Sequence, residues 1–220
     1  MTTTTHGWFY PATSYTSGWR QALQDQADAA EAAGFQMKGY RWADQTERDA
    51  ETGMLEADLG WRTDNEIVYR YNGSTWKPWD SDWVTYTSTL SGFVVGTGGT
   101  NSTEYRYEGG LIRVRFLFKF GTSGQTFPTD PKFTLPVNTA AQSHTYEELF
   151  GSVSMHDNSA ATLPRKGIAY LNATSVSQAI LYVLGTATTG IASNITTTSP
   201  WTWAQNDLIR GELVYKPSNA

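Results

Sequence analysis

The chain is 220 residues long with a mass of 24.4 kDa, enough to bury a core without covalent staples. It has no cysteine, which excludes disulfides and thiolate metal sites, and its net charge of −5 gives no overall cationic footprint for duplex nucleic acid. Aromatic residues at 14%, 20 glycines and only 17% charged residues favour strands and turns and argue against a helical bundle or a disordered chain.

The charge is uneven. Of 21 acids and 16 bases, 11 and 5 fall in residues 1–66, which leaves 10 and 11 for residues 67–220. A net of −6 against +1 predicts two regions with different jobs. The opening Met1-Thr2-Thr3-Thr4-Thr5-His6 has neither the basic nor the apolar part of a secretory signal, and no apolar stretch is long enough for a bilayer. Neither membrane insertion nor Sec export by a leader of its own is expected.

Residues 1–16 read as an extended arm carrying Trp8, Phe9, Tyr10 and Tyr15. So much aromatic area calls for cover, from another protein or from the arm's own domain. Residues 17–33 read as a long helix, with Ser17 as N-cap and Gly34 just past its end. Trp19, Leu23, Ala27 and Ala30 recur at spacings of three and four. A stripe that thin needs close partners, either copies of itself about a symmetry axis or the rest of the chain. These four are the candidate oligomerisation residues.

A short helix is predicted over 44–51, where Asp44 and Glu47 have the spacing of a reciprocal capping box. Residues 61–79 read as a small β-hairpin unit turning at Asn72-Gly73, with Trp61, Tyr69, Tyr71 and Trp76 stacking across strands. Residues 83–217 read as an antiparallel β-sandwich, jelly-roll-like. Its strands are predicted at Val84–Leu90, Phe93–Val95, Thr103–Tyr107, Leu111–Phe120, Lys132–Leu135, Gly151–Met155, Gly167–Leu171, Gln178–Val183 and Leu208–Tyr215. In Leu111–Phe120 the residues Ile112, Val114, Phe116, Phe118 and Phe120 share one face, the expected core; Arg113, Arg115 and Leu117 share the other. The fold class is therefore mainly β: an arm and helix over 1–40, a small neck over 41–79 and a sandwich head over 80–220.

No catalytic, metal or cofactor constellation is apparent. The three histidines lack partners at ligand spacing, and His156-Asp157-Asn158-Ser159 reads as a polar turn because a triad needs groups brought together from separate positions. Glu147 and Glu148 would face opposite ways on a strand, although distant acids could still converge for glycan cleavage. Aromatic residues are the remaining candidates, since sugars stack on Trp and Tyr while polar neighbours fix their hydroxyls. Trp201 and Trp203 alternate after Pro200 and either stack a sugar or fill the sandwich core. Tyr146, Glu147 and Phe150 sit in a long polar connection over 138–150, exposed for a ligand or packed as a covering loop. Arg165 and Lys166 sit in a turn, either solvated or favouring an anionic glycan.

Several stretches carry a family likeness. They are Arg48-Asp49-Ala50, Trp61-Arg62-Thr63-Asp64, Val68 to Trp76, Trp83 to Leu90, Gly110 to Phe116, Leu135-Pro136-Val137, Pro200 to Asp207 and Gly211 to Tyr215. In this order they resemble the tail fibre and minor tail proteins of phages infecting actinobacteria, over about residues 44–216. Ser88 departs from the pattern, because many relatives carry Pro there. The resemblance implies a homotrimer in a virion tail, assembled in the host cytoplasm and released by lysis. Residues 1–40 would join other tail proteins, and the head would adhere to a host cell-wall glycan. It carries over no catalytic residue, metal or cofactor. A virion decoration or connector protein without a host ligand, and a glycan depolymerase, are the alternatives.

Overall fold

A computed structural model describes residues 39–137, 149–158, 164–172, 175–184 and 192–218. The helix expected over 17–33 and its residues Trp19, Leu23, Ala27 and Ala30 lie outside the described residues. The chain is mainly β and divides into two compact units, one of residues 1–82 with 107–110 and 219–220, the other of 83–106 with 111–218.

The described part of the first unit holds β1 (Gly39–Trp42), α1 (Gln45–Asp49), β2 (Leu59–Arg62), β3 (Ile67–Tyr71) and β4 (Trp76–Ser81), in the sheet order β1-β2-β3-β4. Helix α1 starts at the expected cap: the Glu47 amide donates to Asp44 Oδ1 at 3.0 Å. The Glu47 carboxylate reaches back one residue further than the reciprocal pattern requires, accepting from the Ala43 amide at 2.6 Å. Asn72 tightens the turn between β3 and β4 through its side chain, which accepts from the amides of Ser74 and Thr75. Ser74 and Thr75 therefore belong to the turn, not to the strand.

The aromatic cluster of this unit is built on Trp42, Tyr69 and Trp76, flanked by Tyr40 and Tyr71. Trp42 meets Trp76 edge-on at 4.7 Å, and Tyr71 lies 5.3 Å from Trp76. Trp61, expected in this stack, is on the other face: it pairs with Val68, whereas Tyr69 pairs with Gly60. Gly60 is required here. A Cβ at this position would lie 2.0 Å from Trp42 Cη2. The strand Gly39–Trp42, which parallels β2, has too few residues to show a period and was not expected.

The second unit contains β5 (Val84–Tyr86), β6 (Leu90–Ser91), β7 (Thr100–Glu108, its last two residues in the first unit), β8 (Leu111–Lys119), β9 (Lys132–Thr134), β10 (Leu149–His156), β11 (Arg165–Asn172), β12 (Ser175–Leu184), β13 (Ala192–Asn194) and β14 (Leu208–Tyr215). They follow one hydrogen-bonded path, β7-β8-β14-β10-β11-β12-β9-β6, with β13 beside β12 and β5 beside β7. The path curls until its walls face each other. Phe116 and Phe118 of β8 lie 4.8 and 5.4 Å from Phe133 of β9, although four strands separate β8 from β9 along the path. The core is the face expected from β8: Ile112, Val114, Phe118 and Phe120 are fully buried. Phe93, Met155, Leu181, Ile209 and Leu213 complete it.

The strand expected over Val84–Leu90 is broken for a reason. β5 pairs with β7 and β6 with β9, so this one segment passes between the two ends of the curled path. At the crossing Ser88 is buried; its hydroxyl donates to Asn101 Oδ1 at 3.0 Å, and Asn101 donates back to the Ser88 carbonyl at 2.9 Å. Phe93–Val95, expected as a strand, forms only an isolated bridge between Val94 and Thr126.

Candidate functional site

The outward-facing residues of β7, β8, β14, β10 and β11 line a concavity of about 860 Å³. Its floor follows from period-two alternation: Val114, Phe116, Val153, Met155, Ile209 and Leu213 point to the core, which turns Arg115, Leu117, Ser152, Ser154, Arg210 and Glu212 outward. Gly211 lets the strands close beneath it, because a Cβ there would meet the Ser152 carbonyl at 2.3 Å and Phe116 Cζ at 2.7 Å.

Register sorts the charges into rows across the sheet. In one row Ile168 pairs with Ser152, Ser152 with Glu212, and Glu212 with Arg115. The acids of this region are matched: Glu212 is ion-paired to Arg113, and Glu104 accepts from Arg115 Nε at 2.5 Å. Arg115 also stacks over the Trp83 ring at 4.1 Å, and Arg106 lies 5.1 Å from the same ring. In the adjacent row Lys166 pairs with Ser154, and Ser154 with Arg210. Both cations are exposed, and among the described residues neither has an acid partner.

His156 sits beside this row, its Nε2 sharing a 3.1 Å hydrogen bond with the Ser154 hydroxyl. Burial, and then the charges of Arg210 and Lys166, hold the imidazole below its ordinary pKa. The stretch His156-Asp157-Asn158 ends β10 as an anchored turn: the Asn158 amide donates to Asp207 Oδ1 at 2.9 Å, and its side chain donates to the Asn206 carbonyl at 2.7 Å.

The sequence candidates are placed as follows. Tyr146 and Glu147 lie outside the described residues. Phe150 is not in a connection but in β10, because the strand starts two residues earlier than its apolar pattern suggested. Arg165 and Lys166 likewise belong to β11 and not to a turn. Trp203 is 2% exposed, 5.6 Å from Phe120, and its indole N–H donates to the Thr196 carbonyl at 3.0 Å. It fills the core and presents no face to a ligand. Trp201 is half-buried, its ring 5.2 Å from Trp203 and its N–H donating to Asp207 Oδ2 at 3.2 Å. Neither Trp201 nor Trp203 lines the concavity. Ser154 and Arg210 were missed because their partnership depends on strand register, not on local spacing.

Among the described residues no group of three or more His, Cys, Asp or Glu is placed to hold a metal ion, and no helix is long and apolar enough to cross a membrane. No family model and no curated protein matches the chain. A fragment of the avian reovirus sigmaC protein, residues 117–326, aligns over 88% of this chain and 88% of its own length, at 11% identity and a TM-score of 0.34. That likeness is too distant to bear on fold or function.

Proposed function

We propose that this chain is a phage tail fibre or receptor-binding protein, adhering to a host cell-wall glycan by binding and not by catalysis. The concavity on the outer sheet face of the second unit is the observation that carries this reading. A small-molecule site buries most of its ligand. A face built on outward strand residues leaves one side of its ligand in water, which suits a polymer running across it. Serines, paired ions and the exposed cations Lys166 and Arg210 supply the hydrogen bonds that sugars and their substituents need.

On this reading residues 1–40 attach to other tail proteins and trimerise. Threefold repetition then raises a weak single-site affinity through effective concentration. The protein takes its place in the tail in the host cytoplasm and leaves by lysis. The test uses the purified full-length chain, sized by light scattering and then sedimented with purified actinobacterial cell walls. We expect a mass near three protomers and co-sedimentation with the walls. A monomer that stays in the supernatant overturns the reading. A trimer that ignores the walls favours a decoration or connector role, and release of reducing sugar favours a depolymerase.

A further inference from the structure

We infer that the row Lys166–Ser154–Arg210 is an anion-binding subsite that holds a phosphate or carboxylate group of the glycan. The inference rests on the adhesion reading for the source of that anion, and on the sheet for everything else. Ser154 pairs with Lys166 on one side and with Arg210 on the other. Neighbouring strands lie about 4.8 Å apart, so the two cations start about 10 Å apart with a hydroxyl between them. Both side chains are long enough to converge on one tetrahedral or planar anion over that hydroxyl. Arg210 offers a planar fork and Lys166 a point charge.

The charge balance of the face is what makes the row unusual. Its acids, Glu104 and Glu212, are engaged by Arg115 and Arg113. Among the described residues Lys166 and Arg210 have no acid partner, and their charges oppose protonation of His156. An anion seated over Ser154 would meet two opposite charges and a hydroxyl donor at once. The same anion stabilises the imidazolium of His156, which gives a local reporter of occupancy.

The experiment titrates the full-length chain with poly(glycerol phosphate), polygalacturonate, neutral dextran and single-stranded DNA, at about 50 and 500 mM salt. His156 is followed by NMR, its resonances assigned with His156→Gln. We expect at least one anionic polysaccharide to bind, to weaken with salt, and to raise the His156 pKa. Phosphate against carboxylate preference identifies the source. The double variant Lys166→Gln/Arg210→Gln changes only exposed residues and is expected to lose about tenfold to a hundredfold in affinity and the His156 response. Lys77→Gln, a cation removed from the first unit, is expected to change neither.

Undiminished polyanion binding by the double variant, dextran binding as well as the charged polymers, or a preference for DNA each overturns the inference. The two readings separate cleanly. Cell-wall sedimentation that survives the double substitution defeats the subsite and spares the adhesion reading. Polyanion binding through Lys166 and Arg210 without any cell-wall binding does the reverse.

Discussion

Replacing Asp207 by alanine removes the acceptor that fastens three donors. Asp207 is fully buried. Its Oδ2 accepts from the Ala204 amide at 2.8 Å and from the Trp201 indole at 3.2 Å, and its Oδ1 accepts from the Asn158 amide at 2.9 Å. Each hydrogen bond to a charged acceptor contributes about 1.5–3 kcal/mol, and a buried donor left behind carries its own desolvation cost. Asn158 is exposed, so water can replace part of its bond. The loss on Asp207→Ala is then about 3–5 kcal/mol, from the two part-buried bonds to Ala204 and Trp201. Asp207→Asn is a milder change. Its carbonyl oxygen still serves Ala204 and Trp201, but its amide faces the Asn158 N–H, at a cost of about 1–2 kcal/mol. Urea unfolding followed by tryptophan fluorescence reads both as shifts in midpoint at constant slope. The reasoning fails if the alanine variant stays within about 0.5 kcal/mol of the parent, or if asparagine is as damaging as alanine.

Two further outcomes concern the first unit. Gly60→Ala drives a methyl group into the Trp42 ring, which is held by Trp76, and is expected to cost about 3 kcal/mol. The second substitution Trp42→Leu should restore part of that loss, and a freely tolerated alanine would show that the strands are not so tightly apposed. Tyr40 is pushed up to about 12 by burial, by the charge of Asp58 and by its hydrogen bond to that carboxylate. Its proton is held more tightly in the folded state, so its stabilising contribution is complete below pH 10 and is lost as the pH rises towards 12. Tyr40→Phe should flatten the fall in denaturation midpoint across that window, and an unchanged slope would contradict the assignment.

What could be read in advance follows from the range of each interaction. The core face of Leu111–Lys119 was legible because alternation is local: Ile112, Val114 and Phe118 are all at 0% exposure. The Asp44–Glu47 cap was legible for the same reason. Trp42 over Gly60 was not, because a parallel pairing between distant segments sets it. For Trp203 the sequence leaves two roles open, and the core role holds because the loop that carries it is pinned by Asp207 and closes the core with the indole. The Lys166–Ser154–Arg210 row draws on three strands, and no spacing within any one of them encodes it. Arg113 and Arg115 were placed correctly on the outer face of β8, but their pairing with Glu212 and Glu104, which among the described residues leaves the Lys166–Arg210 row without an acid, needs the register.

The most direct measurement is competition for the cell surface. On the proposed tail-protein reading, host cells are first exposed to saturating purified full-length chain, and adsorption of the phage that carries it is then counted. We expect the parent chain to block adsorption and Lys166→Gln/Arg210→Gln to leave it close to the untreated level. Full adsorption in the presence of saturating, correctly assembled parent chain would contradict the account.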